Sequence, residues 1–201
     1  RLRDGPRIGP AAKVISIDID PNELGRNRGV DVGIEGDPKH ALQQITAELG
    51  TRGARHDDWI GKLRDGETKV MELRQKWLHS DATPIHPLRL CNEIAQFVDE
   101  ETIVVGDGGD IVGLSSQVLS VNHPGQFMGP GPLGTLGVGT GFCMAAHVVH
   151  PNKKILMVNG DGAFGLNGFD FDPFVRFGMP VVSVIGNDRQ WGQILVGQEK
   201  M

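Results

Sequence analysis

Apolar residues recur along this chain with two periods, and segments of the two kinds alternate. Residues 14–19 (Val14-Ile15-Ser16-Ile17-Asp18-Ile19) alternate as a strand, closed by Asp20-Pro21 because proline supplies no ladder donor. A short helical turn at 21–26 and a second strand at 30–34 follow. Asp37-Pro38 then opens a helix, with Asp37 as N-cap, Pro38 at the first helical position and Ala41, Leu42, Ile45 and Leu49 at helical spacing. Residues 57–77 predict an amphipathic helix, broken at Gly66, with Leu63, Val70, Leu73 and Trp77 as its stripe and Trp59 and Trp77 as packing anchors. Thr83-Pro84-Ile85-His86-Pro87 is a stiff lead-in to a helix over 88–98 that turns Leu90, Ile94 and Val98 inward, and His86 is read as structural.

Beyond residue 100 the apolar positions become continuous. Residues 155–158 read as a buried strand, and 102–105 and 181–185 as further strands of an open parallel sheet. Helices are predicted over 111–119 and 135–149, and again after Gly162, where Pro173 should kink the helix or limit it to two short pieces. Phe164, Phe169, Phe171, Phe174 and Phe177 are read as core packing. Strands alternating with helices give an α/β class.

Composition adds limits. Net charge is −5 and the pI is near 5.8, which argues against nucleic-acid or membrane-surface binding. No apolar run approaches the ~20 residues of a membrane span, and no secretory pattern is visible at the start. Cys91 and Cys143 lie in apolar helical contexts and are expected as buried reduced thiols. With no initial methionine, the chain is expected to be a piece of a longer cytoplasmic protein.

The chemistry concentrates where strands end. Gly160-Asp161-Gly162 follows the strand at 155–158, and Asn187-Asp188 follows the strand at 181–185. Ligands of open parallel sheets bind outside the carboxyl ends of the strands, so Asp161 and Asp188 are placed at neighbouring ends on one edge. Glycines admit backbone amides to a phosphate, and a following helix N-terminus favours an anion. Two hard oxygen donors beside such a cradle suit Mg²⁺. Gly106-Asp107-Gly108-Gly109-Asp110 is a second strand-to-helix turn whose amides can form an anion-binding concavity. Asp18 and Asp20 are strand-end carboxylates with no dinucleotide fingerprint beside them.

The stretch from Gly160 to Asp188 resembles the thiamine diphosphate motif, a GDG followed by about thirty residues and a double asparagine. Together with Val104-Val105-Gly106-Asp107-Gly108-Gly109-Asp110, Gly134-Thr135-Leu136-Gly137-Val138-Gly139 and Asn187-Asp188-Arg189-Gln190-Trp191-Gly192, it resembles the acetolactate synthase, 2-hydroxyacyl-CoA lyase and benzaldehyde lyase-like enzymes. The resemblance implies a three-layer parallel-sheet cofactor-binding domain at 83–201, preceded by the C-terminal part of a Rossmann-like middle domain at 1–52 and a helical linker at 53–82. It implies diphosphate contacts at Gly108, Gly109, Asp110, Ile111, Gly160, Gly162, Ala163 and Phe164, with Trp191 and Gly192 beside the site. It also implies metal ligation by Asp161, Asp188 and the carbonyl of Gln190. The carbonyl of Gly134 would accept from the aminopyrimidine, Thr135 would adjoin it, and Leu136, where methionine is common, would wedge the cofactor into a bent shape. Asp188 departs from the usual asparagine but keeps an oxygen donor.

The catalytic glutamate of such enzymes is expected in an N-terminal domain outside these residues, since Glu93, Glu100 and Glu101 are wrongly placed. The 201 residues alone are therefore expected to be inactive, and the whole protein to be a homodimer or homotetramer acting on a 2-keto acid, an aldehyde or a 2-hydroxyacyl-CoA. A non-catalytic cofactor-binding relative and a nucleotide-binding α/β module without thiamine are the alternatives.

Overall fold

The computed structural model describes residue 9 and residues 11–50 and 56–199. The chain divides into two compact units between residues 64 and 65. In the first, β1 (Ile15–Asp18) and β2 (Val32–Glu35) pair in parallel, from Ile15 opposite Val32 to Asp18 opposite Glu35. Asp18 and Asp20 tie the turn between them: Asp20 N–H donates to Asp18 Oδ1 and Asn22 N–H to Asp20 Oδ1, both at 2.9 Å. α1 (Pro38–Leu49) begins as expected, with Asp37 accepting from Lys39 N–H at 2.7 Å and Pro38 in the first turn. The unit boundary falls within α2 (Asp57–Leu78), whereas the sequence suggested a linker over 53–82. α2 is unbroken at Gly66, because one glycine costs only about 1 kcal/mol in a helix this long. Its expected stripe of Leu63, Val70, Leu73 and Trp77 is exposed, as is Trp59.

In the second unit, α3 (Pro87–Ala95) is capped by His86, whose Nδ1 accepts from Leu88 N–H at 3.2 Å and whose ring stacks on Trp77. Leu88, Cys91 and Ile94 form its buried face. Leu90 and Val98, expected inward, are only partly buried beside that core. A four-stranded parallel sheet follows in the order β4-β3-β5-β6. Its strands are β3 (Thr102–Asp107), β4 (Phe127–Met128), β5 (Lys154–Gly160) and β6 (Val181–Gly186). The central strands β3 and β5 are buried almost throughout, which accounts for their continuous apolar runs.

Helices cover both faces. On one, α3 and α4 (Asp110–Ser115) bring Cys91, Ile94 and Ile111 against Val104, Leu156 and Val158. On the other, α5 (Gly139–Val149) and α7 (Phe171–Arg176) bring Cys143, Ala146 and Phe174 against Ile103, Val105, Ile155 and Met157. This is the three-layer parallel arrangement expected from the sequence. Burial pushes the Cys91 thiol up to about 11; burial, with the charge of Asp107 nearby, pushes Cys143 up to about 12. Both cysteines are free and buried.

Several helix boundaries and part of the aromatic core are corrected. α3 stops at Ala95 rather than 98, and α4 at Ser115 rather than 119. α5 starts at Gly139 rather than Thr135, because Gly134 and Gly137 take left-handed φ angles of 63° and 80° that end any helix there. The segment after Gly162 splits into α6 (Asp161–Asn167), a 3-10 turn at Gly168–Asp170, and α7. The break lies at Gly168, not at Pro173, which sits in the first turn of α7, where its missing N–H has no helical partner to lose. Phe164, Phe171 and Phe174 pack edge to face, but Phe169 and Phe177 are exposed, at 98% and 67%. Among the described residues no helix is long and apolar enough to cross a membrane.

Candidate functional site

The carboxyl ends of β3, β5 and β6 lie side by side, with Asp107 opposite Asn159 and Gly160 opposite Gly186. Each leads into a glycine turn. Gly160 is the extended N-cap of α6 and Asp161 its first helical residue; Asp161 Oδ1 accepts from Gly162 N–H at 2.8 Å. At the end of β6, Asn187 Oδ1 accepts from Arg189 N–H at 2.9 Å and Asp188 Oδ1 from Gln190 N–H at 3.1 Å. These two side chains hold the turn and carry Arg189 at a left-handed φ of 61°. Asp161 and Asp188 thus project from neighbouring strand ends, and each commits one carboxylate oxygen to its own turn.

The first turn packs against the second. Gly108 has φ 143°, and a Cβ there would lie 2.9 Å from Gly160 N. The segment that follows β6 closes over both. A Cβ on Gly109 would meet Gln193 Oε1 at 2.3 Å, one on Gly162 would meet Trp191 Nε1 at 2.4 Å, and one on Gly192 would meet Asp188 Oδ2 at 2.6 Å and Asp110 Oδ2 at 3.4 Å. Glycine at these three positions therefore leaves room for the side chains of Gln193, Trp191 and Asp188 to pack directly on the turn backbone. Asp161, Gly162, Gly165, Leu166, Arg189, Gln190 and Trp191 border an open depression of about 450 Å³. α8 (Gly192–Gln198) leads away from it.

The other expected contacts fall in different settings. Ile111 and Ala163 are buried, and the Ile111 side chain packs against Gly186. The Phe164 ring lies against Gly168 and Phe171. Gly134 and Thr135 are exposed and Leu136 is half-buried, on the loop that leads from the 3-10 turn Gly131–Leu133 into α5.

That loop is held by residues the sequence reading passed over. Asp107, 3% exposed, accepts from Gly137 N–H at 3.0 Å through Oδ1 and from Gly139 N–H at 2.7 Å through Oδ2. Asn167, at the end of α6, donates from Nδ2 to the Gly137 carbonyl. Asn159, 1% exposed beside Asp107, accepts from Ser183 Oγ at 3.0 Å. Its Nδ2 has no partner among the described residues. The available signal was a polar residue at the end of each of two apolar strands, Asp107 and Asn159.

The donor chemistry suits a small hard cation beside an anion: carboxylates, loop carbonyls and glycine-opened amides, with neither thiolate nor imidazole. Among the described residues no three His, Cys, Asp or Glu side chains form a metal cage. The expected set, two carboxylates and one carbonyl, does not call for one.

Residues 107–201 match the family described as thiamine pyrophosphate enzyme, C-terminal TPP binding domain. The chain is 34% identical to the acetolactate synthase large subunit IlvG of Mycobacterium tuberculosis, over 96% of the chain and 35% of that protein. It is 29% identical to 2-hydroxyacyl-CoA lyase 2 of Caenorhabditis elegans, over 100% of the chain and 32% of that protein. It is 30% identical to 2-hydroxyacyl-CoA lyase 2 of Homo sapiens, over 96% and 31%. The chain spans about a third of the length of these relatives.

Proposed function

We propose that this chain, which belongs to the thiamine pyrophosphate enzymes, holds thiamine diphosphate and Mg²⁺ at the carboxyl ends of β3, β5 and β6, as part of a protein that makes or breaks C–C bonds next to a carbonyl. The observation that carries this reading is the side-by-side placement of the Asp161 and Asp188 turns on neighbouring parallel strands. Asp161, Asp188 and the carbonyl of Gln190 hold the metal. The backbone of 108–111 and of Gly160, Gly162, Ala163 and Phe164 receives the diphosphate, where the helix starts of α4 and α6 favour negative charge. Trp191 and Gly192 close the edge of the site, and Gly134, Thr135 and Leu136 meet the pyrimidine side.

The cofactor, when bound, supplies an electron sink for carbon–carbon cleavage or ligation. This chain's residues orient it and exclude water around its phosphates. The relatives' names divide between acetolactate synthesis and 2-hydroxyacyl-CoA lysis, so a 2-keto acid, an aldehyde or a 2-hydroxyacyl-CoA is the substrate class. Buried, unpaired Cys91 and Cys143 support a reducing, cytoplasmic setting. A homodimer or homotetramer with residues 129–141 near its interface agrees with the exposure of Leu133 at 89%.

Titrating the full-length protein with thiamine diphosphate, with and without Mg²⁺, tests the cofactor assignment. Saturable binding that requires the metal is expected; metal-independent or absent binding rejects it. Assays for aldehyde release from 2-hydroxyacyl-CoA and for condensation of 2-keto acids then choose between the two reactions.

A further inference from the structure

Loop 134–138 is anchored from two sides, and neither anchor has a role in binding assigned above. Val138, the N-cap of α5, makes no side-chain cap bond. Asp107 does that work from the end of β3, taking the amides of Gly137 and Gly139 with its two oxygens. A buried carboxylate at the N-terminal end of α5 is stabilised by both amides and by the helix dipole. A Cβ on Gly139 would lie 2.8 Å from Asp107 Cβ, so the glycine is needed for this approach.

From the other side Asn167 donates to the Gly137 carbonyl. A Cβ on Gly137 would lie 3.3 Å from Asn167 Cγ and Oδ1, so the contact is close. Thr140, in the first turn of α5, donates to Asp170 Oδ2 at 3.2 Å, just beyond α6. The loop is therefore tied both to the strand that leads into Gly108 and to the helix that begins at Asp161.

We propose that Asp107 and Asn167 are positioning residues that set loop 134–138 at a fixed distance from the strand-end turns, so that Gly134 and Leu136 meet one end of the cofactor while 108–111 and 160–163 hold the other. This presupposes that the strand ends hold thiamine diphosphate. It adds that the two halves of the site are joined through one residue, Gly137, gripped at its N–H by Asp107 and at its carbonyl by Asn167. Neither side chain need touch the ligand.

The test separates the two halves with two probes. Inorganic pyrophosphate with Mg²⁺ reads the strand-end turns alone; thiamine diphosphate with Mg²⁺ reads both halves. In the full-length protein, Asp107→Asn keeps the size but replaces one acceptor by an amide that faces an N–H. Its affinity for thiamine diphosphate should fall about tenfold or more, the scale of a lost hydrogen bond to a charged group. Asn167→Ala should weaken it several-fold, while pyrophosphate affinity stays within about twofold in both variants. Amide exchange at Gly137 and Gly139 should quicken in step with the loss. Equal weakening of both probes, or no weakening of thiamine diphosphate, overturns the positioning role, and Asn167→Ala decides the matter if Asp107→Asn does not fold. Wild-type protein that binds neither probe overturns the cofactor assignment itself, and this role with it.

Discussion

The tripeptide Gly-Asp-Gly occurs at two strand ends, 106–108 and 160–162, and does different work at each. In β5 the strand stops at Gly160, so Asp161 becomes the first residue of α6 and stands partly exposed beside the depression. In β3 the same word begins two residues earlier in register: Gly106 pairs with Val158, Asp107 with Asn159. Asp107 is consequently still inside the sheet, 3% exposed, and its carboxylate is spent on backbone amides of the next crossover. Position relative to the strand end, not the tripeptide, decides whether the aspartate is partly exposed or buried in the core. A carboxylate with only one oxygen committed to its own turn can meet a cation; one with both oxygens taken serves as a cap.

The sharpest test of this contrast is Asp161→Ala. It should remove Mg²⁺-dependent thiamine diphosphate binding to below calorimetric detection and leave thermal stability within the small range of exposed-site changes, about 0.5 kcal/mol. Unchanged affinity would mean that the exposed copy is no more functional than the buried one.

The glycines of the two motifs offer the next largest effect. Gly108→Ala places a side chain at φ 143° and 2.9 Å from Gly160 N, both backbone constraints that rotamers cannot relieve. A loss of about 2 kcal/mol or more in denaturant unfolding is expected, from left-handed strain together with the clash. Gly160 has φ −79°, and a Cβ there meets nothing closer than 4.0 Å. Gly160→Ala should therefore cost less than about 1 kcal/mol. Similar costs at the two positions would show that the turns are not packed in this one-sided way.

The layered fold was legible because β3 and β5 are apolar almost throughout and alternate with helical segments. The boundaries were less so. α5 appeared to start at Thr135 because Thr135, Leu136 and Val138 suit a helix; what stops it is Gly137 held at positive φ by a carboxylate 30 residues upstream, a tertiary effect with no local signature. Phe169 resembled its neighbours in the sequence, yet the break at Gly168 turns it outward. For the candidate site, the glycine turns and Asp161 could be read directly, since their chemistry is local. Asp107 could not, because its partners, Gly137 and Gly139, lie 30 and 32 residues further on, in the connection from β4 to α5.

The two faces of the sheet each bury one thiol, and this gives a smaller, pH-dependent effect. Their folded values of about 11 for Cys91 and about 12 for Cys143 lie above the ordinary thiol value of 9.0. The folded chain therefore holds these protons when the unfolded chain releases them. The associated stability is fully present below about pH 9 and is lost as pH rises through the folded values, with a slope of at most about 1.4 kcal/mol per pH unit for each thiol. Unfolding titrations from pH 8 to 10 should show this decline, and Cys91→Ala or Cys143→Ala should each remove part of the slope while lowering stability at pH 8. A slope unaltered in both variants would mean that the thiols are not shielded on either face.

Asp188 extends the comparison to a third strand end and should give the smallest effect. It lies two residues beyond the end of its strand, and like Asp161 it commits one oxygen to its own turn, accepting from Gln190 N–H. Asp188→Asn can keep that acceptor through Oδ1, so the turn and the placement of Gln190 should survive. What changes is charge: one fewer negative charge beside the proposed cation, offset by less repulsion from Asp110, whose Oδ2 also approaches Gly192. Thiamine diphosphate affinity at saturating Mg²⁺ should stay within a few-fold of wild type, while the Mg²⁺ concentration for half-saturation rises. A magnesium titration at fixed cofactor reads this shift. Total loss of binding would show that the carboxylate itself is required and that an amide oxygen cannot take its place. An unchanged magnesium dependence would place Asp188 outside the metal's reach and make it, like Asp107, a residue that only shapes its turn.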